Sequence, residues 1–246
     1  MFRNITPVTK HLLIVNLIVF VYMALVPSEK SALLTQYGAL HFVLSPDFRV
    51  WQPITSMFIH GGLTHFFFNM FALFMFGPQI EWALGKWRFL LYYMVCGVGA
   101  ALVQQVVDAG MIAYLAQGMT FDQVKDLISL GAGAHIPYEW NAVAAQHIWS
   151  LANTPIVGAS GAIYGVLLAF GMIFPDRRVM LMIPPIPLKA KWLVLGYGVL
   201  ELALGLVNMS GLYGDGIAHF CHLGGMLFGL LLILYWKKKG TVNEYY

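Results

Sequence analysis

The sequence predicts an all-α integral membrane protein built from six transmembrane helices. Of its 246 residues, 59% are hydrophobic and only 10% are charged, and the mean hydropathy is +0.73. A soluble domain carries about 25% charged residues, so this chain has too few charges to cover a surface that faces water. Six segments are apolar enough over the length of about 20 residues that a helix needs to cross a bilayer.

The six predicted spans follow one another in a single membrane domain, which we expect to cover residues 1–246. Their approximate limits are 11–27, 62–80, 89–107, 158–174, 192–209 and 217–236. The first ends at Pro27 without a small-residue cleavage site, so we interpret it as a retained span and not as a signal peptide. We find no internal repeat, which argues against a transporter built from two related halves.

The basic residues predict the orientation of these spans. If the two termini share one side, that side holds 11 of the 14 Lys and Arg, and only Lys30, Arg49 and Lys125 lie on the other. The positive-inside rule therefore predicts a multi-pass protein with both termini in the cytoplasm. We expect a bacterial inner membrane, with the two long connections, before spans two and four, on the external side.

Charge and cysteine content exclude other function classes. The net charge of +3 is dispersed among apolar segments, so we expect no nucleic-acid partner. Cys96 and Cys221 both lie in apolar runs and form no CxxC pair, so the sequence indicates neither a disulfide framework nor a cysteine metal site.

The two long external connections have different patterns. The first is rich in aromatic and aliphatic residues, which predicts segments lying in the membrane interface. The second, about 108–157, contains Phe121, Val124, Leu127 and Ile128 at helical spacing. We interpret residues 121–130 as a short amphipathic helix that caps the bundle, in preference to a separate binding module.

Polar side chains within spans are the candidate functional residues, because they are costly in lipid. Spans two, four and six start at the external side under this topology, and each carries polar residues in its first two turns. These residues are His65, Asn69, Ser160, Tyr164, His219 and His222. By residue count Glu201 lies in the middle of span five, away from this layer, and we interpret it as an acid paired within the bundle.

The polar layer contains the ingredients of nucleophilic acyl transfer: a serine, a histidine to take its proton and donors for an oxyanion. The glycines three and seven residues after His222 share its helical face, and span four carries Gly161 and Gly165. Close contact between these faces would bring the imidazole of His222 to the hydroxyl of Ser160. Each motif alone also has a structural interpretation, as helix packing, a buried histidine or interhelical hydrogen bonding.

With these motifs, residues from about 50 to 236 resemble the rhomboid family of intramembrane serine proteases in its six-span form. The motifs are GASG at 158–161 followed by Tyr164, HLGGMLFG at 222–229, HGGLTHFFFN at 60–69 and GPQIEWALG at 77–85. The fold that this resemblance implies is a rhomboid-like helical bundle with an interfacial first loop.

The resemblance also implies roles for individual residues. Ser160 would be the nucleophile and His222 the general base of a Ser-His dyad that needs no cofactor and no metal. His65, Asn69 and the Ser160 backbone N–H would form the oxyanion hole, and transmembrane proteins would be the substrates. Supporting roles would fall to Gly158, Tyr164, Gly225 and His60, with Tyr164 packing against the imidazole of His222 or merely filling space.

Two features depart from the family pattern. Many members carry Trp-Arg in the first loop, whereas this chain has Trp51 and Gln52. His219 lies one turn before His222 and offers a second imidazole, but only His222 begins the HxxGxxxG pattern.

Three other functions compete with the protease. A metalloprotease would need HExxH or an equivalent carboxylate, and we expect no acid to join the histidines at positions 60, 65, 219 and 222. A channel or transporter would use Glu201 and the histidines as a relay. A catalytically inactive rhomboid-like protein would bind membrane clients without cleaving them.

Overall fold

The computed structural model describes residues 5–130, 142–180, 186–209 and 215–241, and these segments form a helical bundle. Its helices are α1 (Pro7–Leu25), α2 (Ser28–Gly38), α3 (Gln52–Thr55), α4 (Leu63–Leu84), α5 (Lys86–Leu115), α6 (Phe121–Ser129), α7 (Ala142–Asn153), α8 (Ser160–Ile173), α9 (Ala190–Met209) and α10 (His219–Lys238). A 3-10 turn, Ser56–Phe58, follows α3. Strands β1 (Arg178–Met180) and β2 (Pro187–Lys189) pair antiparallel between α8 and α9.

Five of the described helices are long and apolar enough to cross a membrane: α1, α4, α5, α9 and α10. They confirm five of the six predicted spans, with limits that differ by a few residues except at the end of α5. The chain is therefore a multi-pass membrane protein. Its 30-residue α5 is roughly 45 Å long, so it extends well beyond a hydrocarbon core of about 30 Å.

The remaining predicted span, 158–174, corresponds to α8, an apolar helix that is shorter than the five others. Helix α8 has 14 residues, or roughly 21 Å, because Gly158 has a φ of +124° and the helix ends before Pro175. Most of its side chains are buried by α4, α5 and α10. A helix enclosed by other helices does not have to match the thickness of the lipid on its own.

Glycines allow α8 and α10 to approach closely. A Cβ atom at Gly225 would lie 1.8 Å from the Gly161 carbonyl oxygen, so only glycine fits there. The same face of α10 also meets α5, since a Cβ at Gly229 would lie 2.3 Å from the Tyr92 hydroxyl. The predicted contact between the small faces is present at Gly225, while the nearest neighbours of Gly229 are Tyr92 and Cys96 on α5.

Helices α6 and α7, from the second long connection, form a cap on the C-terminal half of α5. Thr120 and Gln123 form a reciprocal capping box that starts α6. Leu127 and Ile128 pack into a small apolar cluster with α7 and the end of α5. The predicted amphipathic helix is therefore confirmed, although Phe121, assigned to its apolar face, is 81% exposed.

The first long connection supports the chain just before α8. Leu40 and Ile156 exchange two backbone hydrogen bonds of 2.9 Å, and the Gly158 N–H donates to the Ser56 carbonyl at 2.9 Å. Gln52 is fully buried: its amide donates to the Asp47 carbonyl, and its Oε1 accepts from the His41 N–H. A neutral amide thus anchors this loop.

Several apolar side chains of this connection are exposed, namely Leu33, Tyr37, Val43, Leu44 and Trp51. This exposure agrees with a segment lying in the membrane interface, and that location remains a prediction.

A buried carboxylate fastens α1 to the end of α4. Glu81 accepts hydrogen bonds from the backbone N–H groups of Val8 and Thr9, at 2.9 and 2.7 Å, and from the hydroxyls of Thr6 and Thr9. The first N–H groups of a helix have no partner within the helix, so an acidic side chain at that end stabilises it.

Candidate active site

The structure brings Ser160 and His222 together from different helices. Ser160 is the first residue of α8, and His222 lies one turn into α10. The distance from the Ser160 Oγ to the His222 Nε2 is 2.8 Å, which is a good hydrogen bond. The approach of Gly225 to Gly161 sets this separation, because it fixes the two helix backbones against each other.

Tyr164 packs against the imidazole, which is one of the two interpretations that the sequence left open. The rings of Tyr164 and His222 are stacked, with centroids 4.2 Å apart and an interplanar angle of 7°. Tyr164 lies one turn after Ser160 on α8, so the helix that carries the serine also holds the ring of its histidine. The Tyr164 hydroxyl donates a hydrogen bond to Glu201.

Glu201 belongs to this site, and the prediction that it lies away from the polar layer is wrong. Its Oε2 atom lies 2.9 Å from the His222 Nδ1 and 2.6 Å from the His219 Nδ1. The prediction counted residues along separate helices, which ignores the length of the glutamate side chain and how α9 and α10 pack. Gly198 and Gly205 lie three residues before and four residues after Glu201, on the same face of α9, and both contact α10. In the sequence, these glycines indicate that the Glu201 face packs closely on a neighbouring helix.

His219 has no free nitrogen with which to replace His222 as a base. Its Nδ1 faces Glu201, and its Nε2 lies 3.0 Å from the Asp215 Oδ2. Burial raises the pKa of the Asp215 carboxyl, but hydrogen bonds from Asn208 and the Ile217 N–H outweigh burial and hold this pKa below its ordinary value.

His65 and Gly158 lie on the other side of the serine. A Cβ at Gly158 would be 2.7 Å from the His65 Nε2 and 3.6 Å from the Ser160 Oγ. The imidazole edge of His65 and the serine hydroxyl therefore face the same small space, which exists because residue 158 is glycine. Its positive φ also favours glycine.

His60 supports His65 from behind. The His60 ring is buried and meets the His65 ring edge to face, with centroids 5.3 Å apart. Burial, with a smaller contribution from the nearby His65, lowers the pKa of His60 to about 4. A neutral His60 is thus the form that the fold favours at neutral pH.

Asn69 is buried one turn after His65, and its side-chain amide donates to the His65 carbonyl at 2.9 Å. This bond uses one of the two amide N–H groups within α4. The second N–H is the group that remains for the predicted oxyanion role.

The acid that joins the histidines also changes the assessment of metal binding. Within the described segments, Glu201, His219 and His222 each offer a ligand atom, and these atoms lie within 4.8 Å of one another. The sequence argument against a metalloprotease, that no acid accompanies the histidines, is therefore wrong. The carboxylate oxygen that a cation would use is already shared by two imidazole nitrogens.

Comparison with known proteins agrees with these motifs. A family profile described as "Rhomboid domain" matches residues 47–239. Rhomboid protease AarA of Providencia stuartii is 28% identical over 91% of this chain and 70% of its own length. A mitochondrial rhomboid protein of Schizosaccharomyces pombe is 26% identical over 78% of this chain and 53% of its own length. Rhomboid protein 1, mitochondrial, of Saccharomyces cerevisiae is 26% identical over 75% of this chain and 41% of its own length.

Similar rhomboids therefore occur in mitochondria as well as in bacteria, so the family alone does not indicate which membrane holds this protein. The matched region contains α4, α5, α8, α9 and α10 and all the site residues described above. The chain belongs to the rhomboid family, and its likeness to a rhomboid protease supports an intramembrane protease function.

Proposed function

We propose that this protein is an intramembrane serine endopeptidase that hydrolyses peptide bonds in or near transmembrane segments of membrane proteins. The observation that carries the proposal is the 2.8 Å contact between the Ser160 Oγ and the His222 Nε2, formed across two helices in a member of the rhomboid family. A nucleophile within hydrogen-bond distance of a base, whose ring is itself held in place, is the usual arrangement for covalent catalysis.

In the acylation step, the Ser160 oxygen attacks the substrate carbonyl carbon while its proton moves to the His222 Nε2. The tetrahedral intermediate collapses as His222 gives this proton to the leaving amine. Water then attacks the acyl-enzyme, again with His222 as the base, and the serine is regenerated. No cofactor or metal takes part in these steps.

The developing oxyanion would meet the start of α8. Ser160 is the first residue of that helix, where backbone N–H groups lack helical partners and the helix dipole favours negative charge. We assign the Ser160 N–H, His65 and the remaining N–H of Asn69 to the oxyanion hole. Donors placed in advance at such a position contribute strongly to catalysis.

The substrate would be a transmembrane segment that unwinds locally, because the peptide groups of an intact helix are hydrogen-bonded within it. Under the predicted topology, Ser160 lies near the external face, where water reaches the acyl-enzyme. We assign this face to the external side of a bacterial inner membrane, and the excess of Lys and Arg on the opposite side supports that orientation.

The proposal is tested by cleavage of a model single-span substrate in liposomes. We expect wild-type protein to cleave it, and Ser160→Ala and His222→Ala to reduce the rate to the background. Ser150→Ala, which alters a serine on α7 outside the site, is the matched control and should retain full activity. A folded wild type without activity would favour an inactive rhomboid-like protein that binds membrane clients.

A further inference from the structure

We propose that Glu201 is a positioning residue for His222, so that the site operates as a Ser160–His222–Glu201 triad and not as a dyad. The proposal rests on the proposed function for its catalytic consequences. Its structural basis is a single carboxylate on α9 that contacts the base on α10 and the tyrosine on α8.

Glu201 and His222 are in close contact, and both side chains are shielded from solvent. The His222 Nδ1 lies 2.9 Å from the Glu201 Oε2, and both side chains are buried. The N–H direction is not well aligned with the oxygen, because this Nδ1 forms no hydrogen bond of regular geometry. Catalytic hydrogen bonds are often misaligned without substrate and improve when it binds.

The carboxylate selects the useful tautomer of His222. An ionised carboxylate only accepts hydrogen bonds, so a nitrogen that faces it has to carry the proton. A neutral His222 with its proton on Nδ1 has a bare Nε2, and Nε2 is the atom that faces the Ser160 hydroxyl. The opposite tautomer would have no lone pair with which to accept the serine proton.

Neighbouring side chains hold Glu201 in this position. Its Oε1 accepts from the Tyr164 hydroxyl, and its Oε2 also accepts from the His219 Nδ1 at 2.6 Å. His219 in turn donates from Nε2 to Asp215, which is held by Asn208 and the Ile217 N–H. Each nitrogen of His219 therefore faces a carboxylate oxygen, which fixes the orientation of its ring between Glu201 and Asp215.

During acylation, the proton moves from the Ser160 Oγ to the His222 Nε2, and the imidazole becomes a cation. Glu201 does not take a proton in this step. Its negative charge lies beside the new cation and stabilises it, which lowers the barrier. The acid thus acts through the histidine and does not touch the substrate.

The first test replaces the charge and keeps the shape. For Glu201→Gln we expect kcat to fall about 100-fold with KM unchanged, because the amide can present N–H to the Nδ1 and favour the wrong tautomer. Glu201→Asp keeps the charge and should recover part of the rate. Leu202→Ala, at the next and 48% exposed position of α9, is the matched control and should behave as wild type.

The pH profile separates positioning from simple structural support. Each helix packed against His222 places a titratable group near it. These groups are His65 from α4, Tyr164 from α8, Glu201 from α9 and His219 from α10 itself. Helix α5 also packs on α10, and its Asp108 lies near Cys221. Loss of the Glu201 charge makes protonation of His222 less favourable. The acidic limb of kcat/KM in Glu201→Gln should therefore move to lower pH, which loss of stability alone would not cause.

A second measurement does not depend on activity. In ¹⁵N-histidine NMR of the protein in detergent, His222, assigned from a His222→Gln spectrum, should be protonated at Nδ1 and bare at Nε2 at neutral pH. In Glu201→Gln the His222 tautomer should shift toward Nε2–H.

The outcomes distinguish this proposal from the proposed function. If Ser160→Ala is inactive but Glu201→Gln retains the wild-type kcat and pH profile, the triad is wrong and the dyad stands. If wild type does not cleave at all, the proposed function fails, and the NMR result still decides the positioning role. An Nε2–H tautomer of His222 in wild type would overturn that role whatever the activity.

Discussion

Two buried glutamates at opposite ends of the bundle have very different partners. Glu81 accepts only from backbone N–H groups and hydroxyls at the start of α1, none of which changes its protonation near neutral pH. Glu201 contacts two imidazoles and a phenol beside the candidate nucleophile. The comparison teaches that burial of an acid does not indicate its role; the chemistry of the groups that contact it does.

The largest expected effect concerns the close contact between α8 and α10, the helices that carry Ser160 and His222. Gly225→Ala places a methyl group against the Gly161 backbone and forces α8 and α10 apart. We expect activity to fall at least about 100-fold, since a displacement of about 1 Å is enough for this loss. Stability should fall by about 1–3 kcal/mol.

Substrate cleavage and thermal unfolding in detergent measure these two effects. Gly196→Ala is the matched control, because a Cβ there meets open space and alanine favours a helix. Full activity in Gly225→Ala would contradict the claim that this contact sets the Ser160–His222 distance.

The next effect compares the two acids directly. Glu81→Gln should lower the free energy of unfolding by about 1–3 kcal/mol, because the amide group cannot accept at both ends as the carboxylate does. It should leave kcat per folded molecule unchanged, in contrast to Glu201→Gln. Unfolding curves and kinetics on the same preparations test both points, and a catalytic defect in Glu81→Gln with normal stability would break the distinction.

A more gradual effect concerns the pH dependence of stability. The folded state lowers the pKa of His60 to about 4, mainly through burial, whereas an unfolded histidine titrates near 6.5. Protonation therefore favours the unfolded chain, and stability should fall as pH drops from about 6.5 to about 4, by at most about 1.4 kcal/mol per pH unit.

This dependence should flatten in His60→Gln, as measured by unfolding midpoints across that range. Unchanged slopes in wild type and variant would show that another group dominates the titration.

The smallest effect is expected at an exposed ion pair at the same end of the bundle as Glu81. Hydrogen bonds from Lys189 and, to a smaller extent, Lys191 hold the pKa of Asp176 below its ordinary value. Any stabilisation from these contacts is therefore complete at a pH above the ordinary pKa of an aspartate, and it is lost as the pH falls through the lowered pKa of the folded state. Asp176→Asn should leave the unfolding midpoint at pH 7 within experimental error, since exposed pairs contribute little. A large shift would mean that this turn is more strongly coupled to the bundle than its exposure indicates.

Much of the fold follows from sequence because its causes are local. Apolar length predicts α1, α4, α5, α9 and α10, and spacing on one helix predicts the amphipathic α6. The length of α8 does not follow in the same way. Its ends are set by the backbone conformation at Gly158 and by Pro175, while its burial depends on three other helices.

The candidate site is predictable where the pattern itself implies contact. Glycines on the His222 face of α10, together with Gly161 and Gly165 on α8, predict that Ser160 and His222 meet, and they do. Glu201 is missed because its depth depends on how α9 packs, which residue counting along one helix does not reveal. Glycines beside Glu201 on the same face of α9 carried that information.

The central claim, that His222 activates Ser160 as a nucleophile, is tested most directly by reaction with a fluorophosphonate, with the modified residue located by mass spectrometry. We predict that wild type is modified at Ser160 alone and that folded His222→Ala is modified at least about 100-fold more slowly. Equal rates in the two proteins, or modification at another serine, would contradict the account.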